Sequence, residues 1–222
     1  MKAIVIILVV ILVWEVTSNN YSFFNTNLVK SDVDGNSYPV VSSYEDQQKA
    51  ANMIANINLF TLDLIFKLKK KYLTISPTTP EEIKGFEIAN ILHKKYSPGS
   101  LSENKPTSDK DTSYTQNKGE IISLCLREKQ TGKNEFHSLD IIKFVMLHEL
   151  AHIVTPEITH SNLFWTNFRF LLEFCKKYDI YVAPDYGKNN QAYCGMIIRY
   201  NPEYDNIRTV SYFDHKQLTT NN

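Results

Sequence analysis

The chain opens on an apolar run, Ala3 to Trp14, with no polar side chain in it. At 12 residues the run has the size of a signal-peptide core and falls short of the ~20 residues that a spanning helix needs. Extended to Ser18, it reads as a single N-terminal anchor that places residues 2–18 in a membrane, with Trp14 near the interface. Val16 and Ser18 also permit cleavage after Ser18 and secretion. That site is a poor one, with Glu15 where a neutral residue would help, so a retained signal-anchor is the first expectation. Residues 19–43 are rich in Asn, Ser and Asp around an Asp34-Gly35-Asn36 turn signal and read as a polar tether.

Helical periodicity begins at Tyr44. Ala50, Ile54, Ile57 and Leu64 or Ile65 share one face of a helix to Tyr72. Lys67, Lys69, Lys70 and Lys71 suit its negative end better than they suit a phosphate or membrane patch. Thr79-Pro80-Glu81-Glu82 supplies the cap, first-turn proline and acids of a second helix, running to about Tyr96. Residues 97–118 hold few apolar positions and read as a surface loop. Glu120 to Arg127 reads as a strand, and Ser138 then caps the most apolar helix of the mature chain. Ser161 to Tyr178 is amphipathic, Ala192 to Tyr200 is a second strand candidate, and residues 201–222 form a polar tail. The expected organisation is an N-terminal segment (1–18), a tether (19–43), one domain (44–200) and a tail.

Composition narrows the class. Of the 222 residues, 43% are hydrophobic and 12% aromatic, enough to build a core for one domain. The 24 basic and 24 acidic residues balance to a formal net charge of zero, which gives no electrostatic reason to expect nucleic acid as a partner. Cys125, Cys175 and Cys194 are too few for a disulfide framework and lack metal-ligand spacing. They read as small buried apolar residues, with oxidation of one pair as the alternative.

The chemistry sits at His148-Glu149-Leu150-Ala151-His152. On a helix the two histidines lie one turn apart on the same face, so both imidazoles reach one divalent ion. Glu149 is rotated by about 100° and faces the attacking water instead of the metal. Burying two imidazoles and a carboxylate in an apolar helix is costly unless something pairs them, and one Zn2+ ion with its water would do so.

A catalytic zinc site keeps three protein ligands and an open position. Pro156 ends the helix near Val154 or Thr155, and the chain can turn back. His160, at the mouth of the next helix, is the first candidate for the third ligand. Glu157 competes only if the turn is very tight. Glu173 competes from the next helix, although Arg169, Lys176 and Lys177 beside it make a solvated ion-pair face the simpler account.

Residues 112–127, His148-Glu-Leu-Ala-His152 and His160-Ser-Asn-Leu-Phe-Trp165 together resemble the WLM branch of the zincin metallopeptidases, related to the Wss1 and SprT/Spartan proteases. The likeness covers roughly residues 112–200. It implies an α+β, compact zincin-like domain whose motif helix is buried against a small mixed sheet. It also implies an endopeptidase acting on a protein or peptide substrate, with His148, His152 and His160 on zinc and Glu149 as general base. The best-known relatives cleave proteins crosslinked to DNA. Zero net charge and the lack of a basic extension make that substrate a weaker expectation than the chemistry. Tyr193, Arg199 and Tyr200 are candidates for an oxyanion contact. The rival reading is an inactive zincin-fold binding or structural protein on a membrane or particle surface.

Overall fold

The computed structural model of the chain describes residues 26–104, 112–128 and 135–213. Four helices carry the core: α1 (Gln47–Tyr72), α2 (Pro80–Lys95), α3 (Leu139–Val154) and α4 (Asn162–Lys177). The apolar stripe expected in α1 is buried, with Ala50, Ile54, Ile57 and Leu64 inaccessible to solvent, and it packs against α2 and α3. Helix α2 starts as its sequence predicts. Thr79 and Glu82 form a reciprocal capping box with Pro80 in the first turn, and hydrogen bonds from Thr78 and Thr79 hold the Glu82 carboxyl down at about 2.

Helix α3 begins on the Ser138 cap and stops at Val154, and its residues from Ile141 onward are almost all buried. It packs on one side against α4 and on the other against a three-stranded mixed sheet. The strands are β3 (Leu101–Glu103), β4 (Tyr114–Gln116) and β5 (Ile121–Leu124). β5 lies between β3, which is parallel to it, and β4, which is antiparallel. The α+β architecture with a motif helix against a small mixed sheet is therefore present.

Several segments differ from their sequence reading. The 97–118 loop contributes β3 and β4, short strands whose polar composition hides their pairing. Within the expected tether, β1 (Thr26–Lys30) and β2 (Ser37–Val41) form an antiparallel hairpin. Its inward residues Tyr38 and Val40 are buried against the core, while its outward positions give the segment its polar look. The second strand candidate is a hairpin, β6 (Gln191–Tyr193) and β7 (Met196–Ile198), turning at Cys194 and Gly195. The described part of the expected tail is folded, with Asn201, Glu203, Thr209 and Ser211 buried.

Two further expectations are corrected. Cys125 and Cys194 are joined in a disulfide across a sequence separation of 69, so only Cys175 is a free buried thiol. The pairing depends on β6–β7 folding back onto the end of β5, which no local pattern announces. The membrane localisation is also overturned: among the described residues no helix is long and apolar enough to cross a membrane. The segment 1–18, from which that expectation came, lies outside the described residues.

Candidate metal centre

Helix α3 sets His148 and His152 one turn apart, with their Nε2 atoms 3.2 Å from each other. Pro156 has no N–H to continue the helix, and the chain reverses through residues 156–160 before Ser161 caps α4. The reversal brings His160 Nε2 to 3.1 Å from His148 Nε2. Ligand atoms of all three histidines lie within 4.8 Å of one another. Phe164, in the first turn of α4, meets all three rings, with centroids 4.8 Å from His148, 4.4 Å from His152 and 4.6 Å from His160. Trp165 stacks on His160 at 5.4 Å. The Phe-Trp pair thus forms an aromatic bed that fixes ring orientation.

Burial first, and then the neighbouring imidazoles, push His148 well below the usual histidine range. Burial, His160 and Lys118 take His152 down to about 4, and burial lowers His160. All three rings are therefore neutral at neutral pH, the form in which imidazole binds a metal. Three neutral nitrogens converging on one point can hold a metal ion.

Neither carboxylate rival joins them. Glu157 is exposed beyond Pro156. Glu173 pairs with Arg169 at 2.8 Å, but this is no solvated face. Arg169 is buried and also donates to Asp205 O, Thr209 O and Asn206 Oδ1, so the pair fastens the C-terminal segment to α4.

Glu149 is 3% exposed, and its Oε2 accepts a hydrogen bond from Thr115 Oγ1 on the edge strand β4 at 2.8 Å. Burial raises its carboxyl to about 7, with the Thr115 bond opposing the rise. Glu149, His148 and His160 face a cleft of about 290 Å³, walled by Phe144, Val145 and Phe168 and by residues of the β6–β7 hairpin.

Tyr193, Arg199 and Tyr200 all line this cleft. The Tyr193 hydroxyl shares a 2.6 Å hydrogen bond with Ser113 Oγ, and the Tyr200 hydroxyl donates to Asp205 Oδ2 at 2.8 Å. Arg199 is exposed. Thr115 and Ser113 had no signal in the sequence, because both fall in the stretch that reads as loop.

The family model of the WLM domain matches residues 82–211, more than half of the chain. The chain belongs to the WLM domain family. The match extends the resemblance seen at residues 112–200 in both directions, taking in most of α2 and the folded segment after β7. This WLM domain is 35% identical over 171 residues to an uncharacterized protein of Acanthamoeba polyphaga mimivirus, covering 77% of this chain and 81% of that one. It is 33% identical over 69 residues to an uncharacterized protein of Invertebrate iridescent virus 6, covering 31% of this chain and 38% of the viral protein. Among solved structures, Wss1 from Saccharomyces cerevisiae aligns with a TM-score of 0.42 at 20% identity, over 63% of this chain and 89% of the Wss1 chain.

Proposed function

We propose that this WLM domain is a zinc-dependent endopeptidase in which His148, His152 and His160 hold one Zn2+ and Glu149 is the general base. The convergence of the three Nε2 atoms carries the reading. Zinc–nitrogen bonds of about 2.0–2.1 Å in tetrahedral geometry put ligand nitrogens about 3.3–3.4 Å apart, close to the 3.1 and 3.2 Å found for His148 with its two partners. Lone pairs aimed at one another at such distances repel unless a proton or a cation lies between them. The single lone pair or single N–H of His148 Nε2 can make a good hydrogen bond to only one of its two neighbours.

Bound there, zinc would supply Lewis acidity to the scissile carbonyl and to the attacking water. Glu149 takes a proton from that water as its oxygen bonds to the carbonyl carbon, then delivers the proton to the leaving nitrogen as the C–N bond breaks. Burial raises this carboxyl, which makes Glu149 a stronger proton acceptor than an exposed glutamate, while a cation bound beside it would draw it back toward the ionised form that a base needs. The apolar wall of Phe144, Val145 and Phe168 fits a peptide that presents a large hydrophobic side chain beside the scissile bond.

The test is incubation of the zinc-loaded chain with a denatured protein substrate and mass spectrometry of the products. Cleavage by the wild type and none by Glu149→Gln is expected. A wild type that holds one equivalent of zinc and cuts nothing would instead support the inactive binding module.

A further inference from the structure

The backbone carbonyl of His152 lacks its usual partner. In a continuing helix it would accept from the N–H four residues on, but that residue is Pro156, which has none. A buried carbonyl left unpaired at the end of a ligand-bearing helix would be unstable.

Lys118 supplies the missing donor. Its Nζ lies 3.1 Å from His152 O, 2.5 Å from Thr155 O and 3.1 Å from Glu157 O. One ammonium therefore ties the last turn of α3 to the first residues of the segment that leads to His160. A positive charge at this point also complements the negative end of the helix.

The turn that presents Lys118 is built for the purpose at some conformational cost. Asn117 and Lys118 both adopt left-handed backbone conformations, φ 50° and 55°, unusual for residues other than glycine. Asn117 Nδ2 donates to Glu120 Oε2 at 2.9 Å and braces the turn. Gly119, at φ 107°, lies so close to α3 that a Cβ would come within 3.1 Å of Ile153 Cδ1. From the opposite side, Asn167 Nδ2 donates to Thr155 Oγ1 at 3.0 Å. Beyond these fixings Ile158 is 89% exposed, so between the polar contacts at its base and the aromatic contacts of His160 at its far end the segment has no buried apolar side chain of its own to set its course.

We propose that Lys118 is a positioning residue of the metal centre: its three backbone contacts hold the 152–157 turn so that His160 meets His148 and His152. The proposal rests on the reading of these histidines as zinc ligands. Outer contacts that orient a ligand typically change metal affinity by about ten- to a hundredfold when removed.

The experiment measures the zinc Kd of the full chain by competition with a chromophoric chelator, for wild type, Lys118→Arg, Lys118→Gln and Lys118→Met. Lys118→Met keeps the apolar stem and loses every donor; its Kd should rise by about ten- to a hundredfold. Lys118→Arg, which keeps charge and donors, should stay near wild type, and Lys118→Gln should fall between. The absorption spectrum of the cobalt-substituted protein should change in the same order, which a contribution to folding alone would not produce. Should Lys118→Met fail to fold, the ordering of Lys118→Arg against Lys118→Gln carries the test. Equal Kd values across the folded variants would overturn the role of Lys118 while leaving the metal site standing. A wild type that binds no zinc would remove the site itself.

Discussion

Thr115 Oγ1 on the edge strand donates to Glu149 Oε2 on the motif helix at 2.8 Å, so the proposed base is held by the sheet as well as by its own helix. Glutamine at 149 keeps an oxygen that Thr115 can donate to but has no proton-accepting carboxylate. Glu149→Gln should therefore retain its fold and its zinc while kcat/KM for peptide hydrolysis falls at least about a hundredfold. Metal analysis alongside the kinetics checks this; loss of zinc from the variant would assign Glu149 to the ligand set and end the general-base role.

His160→Ala and Glu173→Ala should separate cleanly. The first removes one of three converging nitrogens and should leave the purified protein largely without zinc and without hydrolysis. The second should keep zinc, since Glu173 faces Arg169 and not the histidines. Its cost is to stability. Arg169 is 4% exposed and would lose a charged partner, a change of about 1–3 kcal/mol, larger than a surface pair would give. Zinc content and denaturant melts decide the matter, and zinc retained by His160→Ala but lost from Glu173→Ala would reverse the assignment.

These residues also mark what the sequence makes legible. A separation of four within an apolar helix puts His148 and His152 together wherever that helix goes, and Ser138 and Pro156 state its ends. His160 follows because a proline-terminated helix must turn before the next cap at Ser161. By contrast, β3 and β4 are three residues each and owe their existence to pairing with β5, so their own composition says loop. The Arg169 and Glu173 pair is visible as a four-residue spacing, but its burial is not, because the residues that cover it lie beyond Tyr204. Lys118 is one lysine in a polar stretch, and its role appears only once α3 is in place above it.

The Cys125–Cys194 link fastens the β6–β7 hairpin, one wall of the cleft, to the end of β5. It closes a loop over a sequence separation of 69, and opening such a link typically costs about 2–4 kcal/mol by freeing the unfolded chain. Reductant, or the double change Cys125→Ser with Cys194→Ser, should lower the melting temperature. The zinc content should persist, because none of the three histidines lies on the hairpin. Melting curves with and without reductant test the link, and identical curves for the oxidised and reduced protein would contradict it.

The last prediction concerns acid. His137 Nε2 accepts the backbone N–H of Cys194 at 3.0 Å, and its ring packs 4.8 Å from Tyr193. Burial lowers its pKa from 6.5, against the opposing pull of Glu128 and of a hydrogen bond to the Arg127 backbone. The unfolded chain therefore binds a proton at this residue more readily than the folded one. Stability from His137 is complete above 6.5 and is lost as the pH falls from there through the lower folded value. A protonated Nε2 would also turn a second N–H toward that of Cys194, loosening the hairpin. His137→Gln offers an amide oxygen to Cys194 that does not titrate in this range. In metal-free protein, where zinc release cannot intrude, denaturant melts at about pH 7.5 and about pH 5 should show a smaller loss of stability for the variant than for wild type. Equal losses would mean that the acid sensitivity of the fold lies elsewhere.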